Sequence, residues 1–245
     1  MNFIVLIFNT ILYQPMLNIL IWLYGLIGNF GVAIIILTLL IKLFLRPLNK
    51  KAIASQKAMS EIQPKMQEIQ NKYKNDREKQ ALELVSLYKR ENFNPFAGFL
   101  LLFLQIPIIL ALFYVVKNGI NVSEIGQSLY FFVKLPSAIY PYLINFNGYE
   151  ILDLSKPNVY LAILTAGAQY LQIKTSAPQS ITKSKDGENN NMNEIGNIMQ
   201  KQMGFFVPIM TFIVLFNLPA ALGLYWIVST VVSVFEQRQL LNKKK

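Results

Sequence analysis

The first 41 residues of the chain carry no charged side chain, and long apolar stretches return at 96–116, 157–173 and 203–236. Across all 245 residues, 53% are hydrophobic and 15% are charged, whereas a soluble domain carries about 25% charged residues. The mean hydropathy is +0.38. Because a helix of about 20 apolar residues is long enough to cross a bilayer, this pattern predicts a membrane protein.

The apolar stretches predict an all-α, polytopic membrane protein with five transmembrane helices, at residues 29–48, 95–116, 157–173, 202–216 and 222–236. The last two are separated because one helix over 203–236 would measure about 51 Å, against a hydrocarbon core of about 30 Å. A turn is therefore predicted at 217–221, where Asn217 and Pro219 interrupt the apolar run.

Residues 49–94 are charged and rich in helix-forming residues. Apolar side chains recur there mostly every three or four residues, as on one face of a helix, at Ile53, Met59, Ile62, Met66, Ile69, Tyr73, Leu84, Leu87 and Tyr88. Asn75 and Asp76 divide this series and suit a turn. We expect two helices that fold as an antiparallel hairpin in the cytosol, the first of them bent at Pro64.

The orientation follows from the basic residues, which concentrate on the cytosolic side of membrane proteins. With five crossings, the segments 49–94, 174–201 and 237–245 share one side and carry 18 of the 23 lysines and arginines. The loop 117–156 carries three, and the segment 1–28 none. We therefore expect a cytoplasmic membrane protein with its N-terminus and the loop 117–156 outside. The loop 174–201 and the basic tail 237–245 are then cytosolic.

Residues 1–28 allow two interpretations. They are apolar, but Gln14, Pro15 and Asn18 stand in their middle. One interpretation is an interfacial amphipathic helix at about residues 15–27 on the outer face, and the other is a sixth crossing that begins inside. We favour the interfacial helix. A secretory signal is not indicated, because no basic residue precedes the apolar run.

The residue types that are missing exclude much chemistry. The chain has no cysteine and no histidine, which excludes the Ser-His-Asp triad, thiolate and imidazole metal ligands, and cysteine nucleophiles. None of the 12 glycines opens a phosphate-binding G-x-x-x-x-G-K-[ST] loop. We expect neither an enzyme nor a protein with a cofactor or a metal site.

Lys42 is the unusual residue of the first predicted span, because a lysine costs about 2.5–3.5 kcal/mol at the centre of a membrane helix. Its ammonium either extends to the cytosolic interface or faces a hydrated cavity that attracts an anionic ligand. Thr38 lies one turn earlier on the same face. Acidic residues occur only in loops, in the hairpin or at a span end, so we expect no carboxylate partner for Lys42 in any span. The polar candidates in other spans are Gln105, Gln169, Gln172 and Ser229.

Five short motifs occur in order along the chain. Phe30-Gly31 opens a span that ends with Arg46-Pro47-Leu48, and residues 59–70 read MSEIQPKMQEIQ. NPFAG at 94–98 precedes QIPI at 105–108, and NLPAALGLYW follows at 217–226. Over residues 13–238 the chain resembles the YidC/Oxa/Alb family of membrane protein insertases, in the form of a minimal bacterial member. It departs at Lys42, where the family usually has an arginine, so the charge is kept but the planar, bidentate guanidinium is not.

The resemblance implies an insertase and chaperone whose five spans enclose a hydrophilic groove that is open to the cytosol and to lipid. Lys42 would attract the hydrophilic tail of a nascent membrane protein, and the short spans would thin the bilayer beside it. The implied groove residues are Lys42, Thr38, Gln105, Gln169, Gln172, Tyr225, Trp226 and Ser229. The hairpin would contact clients or partners through Met59, Gln63, Pro64, Lys65 and Met66.

The implied partners are nascent membrane proteins and membrane lipids, with the ribosome and the Sec translocon as further candidates and without DNA. The protein is expected to work as a monomer. Three other functions stay open: an accessory chaperone of a translocon, a small-solute transporter, and a membrane-embedded enzyme that pairs Lys42 with Ser229. The missing span carboxylates count against the transporter.

Overall fold

The computed structural model describes residues 3–91, 93–94, 100–119, 125–146, 149–176 and 206–242. The elements in chain order are α1 (Phe3–Phe8), a π-helical turn (Asn9–Tyr13), α2 (Gln14–Ile27), α3 (Phe30–Lys72), α4 (Arg77–Arg90), α5 (Leu100–Gly119), β1 (Tyr142–Phe146), β2 (Tyr149–Asp153), α6 (Val159–Ser176), α7 (Phe206–Phe216) and α8 (Ala220–Asn242). The fold is therefore mostly helical, as predicted. Most of the loop 174–201, residues 95–99 of the second span and residues 243–245 of the tail lie outside the described residues.

Within the described residues, three helical stretches are long and apolar enough to cross a membrane, namely Phe3–Ile27, Phe30–Met59 and Ala220–Leu240. Two shorter apolar stretches, Gln105–Asn118 and Phe206–Phe216, accompany them. The described helices thus fit a membrane protein. The number of crossings remains a prediction.

Helix α3 is one unbroken helix of 43 residues, about 65 Å long. It begins after Gly28, which adopts a left-handed conformation (φ 72°), and Asn29, whose side chain accepts a hydrogen bond from an amide of the first turn at 2.9 Å. Pro47 and Pro64 both lie inside it. The predicted boundary at residue 48 is therefore not a helix end. Because α3 is about twice as long as the hydrocarbon core is thick, its polar second half must extend beyond a bilayer.

Helix α4 folds back along the second half of α3. The turn ends at Asp76, whose carboxylate accepts a hydrogen bond from the first turn of α4 at 3.1 Å. Further along, Lys65 binds Glu91 at 2.6 Å, and the hydroxyl of Tyr88 points to the sulfur of Met66 at 3.8 Å. We call α4 and the second half of α3, which these contacts hold together, the α3–α4 pair.

The all-α expectation is wrong in the loop 117–156, which contains a two-stranded antiparallel hairpin. Strand β1 pairs with β2, with Ile144 opposite Ile151. Aromatic and β-branched residues, which favour strands, recur here at alternate positions. The sequence Asn147-Gly148 between the strands is also a strong hairpin signal, so this element was open to prediction.

The buried core joins α2, α3, α5 and α8 through covered side chains such as Leu17, Leu112 and Leu222. The faces that point away from the core carry exposed large apolar residues, for example Phe44 at 83% exposed and Phe235 at 61%. Exposed apolar surface of this kind suits helices that face lipid rather than water.

Polar side chains attach α2 to the segment after α5. Asn18 accepts a hydrogen bond from the amide of Tyr130 at 2.6 Å and donates to the carbonyl of Ser128 at 3.0 Å. Two turns later the hydroxyl of Tyr24 accepts from the amide of Tyr140 at 3.1 Å. The loop 125–146 therefore lies along α2 rather than at one of its ends.

The start of α8 is fixed by the segment between β2 and α6. The amides of Ala220 and Ala221 donate to the carbonyls of Lys156 at 2.9 Å and Leu154 at 3.0 Å. Two of the amides that a helix start leaves unpaired are thereby satisfied. Thr165 of α6 also donates to a carbonyl in the first turn of α8 at 3.3 Å, so the two helices begin side by side.

Candidate functional site

Two polar faces meet between α3 and α8. On each helix the polar side chains follow a spacing of four, four and three residues, which places them on one face. We call this the polar seam, and its members are Thr38, Lys42, Arg46 and Asn49 on α3 and Tyr225, Ser229, Ser233 and Glu236 on α8. Lys42 contacts Ser233, and further along both helices Arg46 contacts Glu236. The two helices therefore run parallel.

Lys42 lies buried in the polar seam at 7% exposed. Its ammonium donates a hydrogen bond to the hydroxyl of Ser233 at 2.8 Å. The carboxylate of Glu236, one turn further along α8, also acts on it electrostatically. The expectation that no carboxylate accompanies Lys42 is therefore wrong, because Glu236 lies at the very end of the predicted span 222–236. The pairing with Ser229 is wrong too, since the ammonium reaches the serine one turn beyond.

Glu236 connects the far end of the polar seam. Its Oε2 accepts a hydrogen bond from Nδ2 of Asn49 at 3.1 Å, and its Oε1 lies 3.8 Å from Nε of Arg46. The side chain of Glu236 is 12% exposed and that of Arg46 is 48% exposed. A cavity of about 40 Å³ opens here, lined by Arg46, Lys50, Glu236, Gln239 and Leu240. Because a single water needs about 10–15 Å³ of cavity space, this end of the seam has room for water.

The other end of the polar seam is neutral. Gln105 reaches in from α5 and donates to the hydroxyl of Tyr225 at 2.6 Å, and Tyr225 is also hydrogen-bonded to Ser229. Thr38 is fully buried and donates to the carbonyl four residues earlier at 2.7 Å. Trp226 packs against the hydrophobic core. Hydrogen bonds thus connect three of the predicted groove residues, Gln105, Tyr225 and Ser229. Two more, Lys42 and Thr38, lie on the facing helix α3.

Two predicted groove residues, Gln169 and Gln172, are half-buried on α6. The Oε1 atom of Gln169 is buried without a hydrogen-bond partner among the described residues, while Gln172 is engaged by a neighbour. Their membership of one groove with Lys42 stays a prediction. Across the described ranges, no cluster of three or more acidic side chains is placed to hold a metal ion.

Sequence reasoning missed four members of the polar seam. Ser233 and Glu236 continue the spacing of Tyr225 and Ser229 along α8, and Arg46 and Asn49 lie one and two turns after Lys42 on α3. Extending each polar face by two more turns would have found them. That two such faces oppose each other, however, depends on helix packing, which the spacing alone does not give.

The predicted contact residues of the hairpin divide into two groups. Met59 (37% exposed) and Pro64 are open to solvent, and Gln63 is half-buried. Lys65 and Met66 hold α4 through the contacts described above. The last two therefore contribute to the α3–α4 pair, whatever else they bind.

Comparisons with known proteins cover most of the chain. Residues 22–245 match the family described as 60Kd inner membrane protein. The "Membrane protein insertase YidC" of Oceanobacillus iheyensis is 33% identical over 242 residues, which cover 97% of this chain and 84% of that protein. The protein of the same name from Fusobacterium nucleatum is 30% identical over 217 residues, which cover 89% and 88%.

Other relatives are longer. The "Membrane protein insertase YidC" of Wolinella succinogenes is 32% identical over 94% of this chain, which spans 37% of its length. A solved structure described as "Active YidC insertase crystal structure with the first transmembrane domain resolved" matches with a TM-score of 0.60 and 24% identity, over 91% of this chain and 44% of that chain. That likeness shows a shared fold. The family match over nearly the whole chain confirms the resemblance drawn from the motifs: the chain belongs to the 60Kd inner membrane protein family, the family of the YidC proteins.

Proposed function

We propose that this chain is a membrane protein insertase and chaperone of the cytoplasmic membrane. It moves short hydrophilic segments of nascent membrane proteins across the bilayer and releases their apolar helices into lipid. The observation that carries this proposal is the buried ammonium of Lys42, held between two helices that otherwise suit a membrane. The names of the relatives that match nearly full length support the same function.

The polar seam supplies the physical basis. A carboxylate on a client's tail gains a charge-assisted hydrogen bond from a cation in the seam, and such bonds are about twice as strong as neutral ones. This gain offsets part of the cost of bringing the tail into the membrane. The client's apolar helix then leaves water for lipid, which contributes about 25 cal/mol per Å² buried.

The proposed topology has five crossings, with the N-terminus outside and the C-terminus in the cytosol. The parallel course of α3 and α8 supports it, because the first and fifth of five crossings run in the same direction. The contacts of Asn18 and Tyr24 with one loop support an interfacial helix at about residues 15–27, since a crossing helix would carry these residues to different depths.

The client-contacting groove extends from the polar seam to Gln105 and Trp226, and to Gln169 and Gln172 on α6. The second half of α3, with the exposed Met59 and Pro64, receives clients from the ribosome or the Sec translocon. One copy of the chain is sufficient for the reaction. Each of these statements is testable separately from the insertase activity itself.

Insertion into proteoliposomes tests the proposal. The purified chain is the only protein in the membrane, and the client is a single-span protein with a short acidic outer tail. Translocation is read as protection of that tail from added protease. We expect protection well above that in empty liposomes, whereas background protection by folded protein would contradict autonomous insertion and favour an accessory role beside a translocon.

Substitutions at Lys42 connect the activity to the seam. Lys42→Arg should keep insertion, and Lys42→Ala and Lys42→Met should lower it by roughly tenfold or more, the equivalent of one charge-assisted hydrogen bond. Lys79→Met removes the same charge from an exposed position of α4, where Lys79 lies 3.4 Å from Asp76, and should leave insertion unchanged. Equal activity of Lys42→Met and Lys79→Met would remove Lys42 from the mechanism.

A further inference from the structure

We infer that Glu236 is a built-in counter-ion that competes with client carboxylates for the cations of the polar seam, and thereby sets how acidic a client must be. This inference rests on the proposed function and deepens it. Within the sequence of the five predicted spans, Glu236 is the acidic residue, and it stands at the cationic end of the seam.

The groups around Glu236 are mainly cations and amides. From α3 it faces Lys42, Arg46, Asn49 and Lys50, and from α8 it shares its cavity with Gln239. One carboxylate therefore stands among three positive charges. The net charge left over is positive, so the seam can still attract an anion while one of its cation sites is already occupied.

The two oxygens of Glu236 are held differently. Oε2 is anchored by Asn49 at 3.1 Å, whereas Oε1 lies 3.8 Å from Nε of Arg46, longer than the 2.7–2.9 Å of a strong charge-assisted bond. The guanidinium of Arg46 has five N–H donors and is 48% exposed. A neutral anchor thus keeps the carboxylate in place, and its ion pair is loose enough to be exchanged.

A competitor that is tethered to its site sets a minimum acidity for the client's tail. A group linked to its site acts at an effective concentration of the order of millimolar for short flexible links. A tail with a single carboxylate must displace this internal competitor, while a tail with several carboxylates can use more than one cation at once. Glu236 should therefore penalise weakly acidic clients more than strongly acidic ones.

A client series tests this prediction. Three single-span clients differ only in their outer tails, which carry no, one or three aspartates, and insertion is measured in proteoliposomes. Glu236→Gln should raise insertion of the one-aspartate client by about two- to fivefold, the range of an exposed or partly exposed ion pair. The client without aspartate should not respond, and the advantage of three aspartates over one should shrink.

Two controls separate competition from structure. Leu224→Ala removes a buried apolar side chain of α8 but no charge, and Glu83→Gln removes a carboxylate from α4. Neither should favour the one-aspartate client. If Leu224→Ala reproduces the effect of Glu236→Gln, loosened packing of α8 is the cause, and the inference is overturned.

The inference and the proposed function fail in different ways. Background insertion of every client by the unmodified chain contradicts the proposed function. Normal insertion with an unchanged ratio between clients in Glu236→Gln contradicts only the role of Glu236. Glu236→Leu is a second neutral variant, and loss of folding in both neutral variants would make Glu236 a structural residue and also overturn the inference.

Discussion

The polar seam and the α3–α4 pair place the same kinds of side chain in opposite surroundings. In the seam Lys42 is 7% exposed and bonds a hydroxyl at 2.8 Å. In the α3–α4 pair the side chain of Lys65 is 54% exposed and binds Glu91 at 2.6 Å. We expect the shorter contact to be worth less, because water competes for an exposed ion pair, whereas a buried ammonium that loses its acceptor finds no replacement.

Both lysines lie on one helix, 23 residues and about 35 Å apart. Their local sequences already differ, since Lys42 stands in an apolar run and Lys65 in a charged segment. The partner helices differ as well: α8 meets Lys42 with its polar face and leaves it 7% exposed, whereas α4 covers Lys65 only partly. Burial, not distance, should therefore rank the contacts of this protein.

The largest expected effect is at the acceptor of Lys42. Ser233→Val leaves the buried ammonium without its hydroxyl and should cost about 1–3 kcal/mol, or about 2–10 °C in melting temperature. Glu91→Gln, the matched change in the α3–α4 pair, should cost less than about 1 kcal/mol. Thermal unfolding of the detergent-solubilised protein measures both. Equal losses would contradict the greater contribution expected of the buried contact.

A smaller effect is expected at the two tyrosines. Tyr225→Phe removes the acceptor of Gln105 inside the bundle and should cost about 1–2 kcal/mol. Tyr88→Phe removes a long contact to a sulfur atom and should stay within about 0.5 kcal/mol. The melting temperatures of the two variants give the ranking, and a larger loss at Tyr88 would contradict it.

Salt should weaken the contacts of the α3–α4 pair more than those of the polar seam. A double-mutant cycle on Lys65 and Glu91 should give a coupling of about 0.2–1 kcal/mol that disappears near 1 M NaCl, because exposed pairs are screened. The corresponding cycle on Lys42 and Ser233 should change little, since the contact is buried. A salt-sensitive coupling at Lys42 would mean that the seam is as open to solvent as the α3–α4 pair.

The smallest effect is expected at Asp153, in the turn that positions the start of α8. Partial burial opposes ionisation, but the hydrogen bonds from Ser155 and Lys156 outweigh it and hold the pKa of the carboxyl below its usual value of 3.8. The resulting stabilisation is present above that pH and is lost as the pH falls through the lowered pKa. Asp153→Asn should therefore melt slightly below the unmodified chain at pH 7. The difference should vanish in acid, and a difference that persists there would exclude this titration as its cause.

Much of the fold was open to prediction because it depends on local patterns. The turn at Asn217 to Pro219 follows from a break in an apolar run, and the start of α4 follows from the capping residue Asp76. The continuity of α3 through Pro47 was not foreseen, because a proline is only a local signal and tertiary context can override it. Leu45 and Asn49, on either side of this proline, are both buried. The β-hairpin also had a local signal, in its alternating strand-forming residues and Asn147-Gly148, but it was missed because an all-α fold was expected.

The candidate site was predicted in part for the same reason. A lysine in an apolar helix indicates a functional residue because placing it in the membrane costs free energy. Gln105 and Tyr225 belong to short sequence motifs. Ser233 and Glu236 lie 191 and 194 residues after Lys42. Nothing local connects such positions, so their contact with α3 was not available from spacing.

Apolar length, charge distribution and ordered motifs are properties of the chain alone, and they identify a mostly helical membrane protein of one recognisable family. Which polar groups accompany Lys42 depends instead on the tertiary structure. Only the parallel packing of α3 and α8 brings Ser233 and Glu236 to Lys42. Because these contacts are buried between the two helices, we expect them to stabilise the protein more than exposed contacts do.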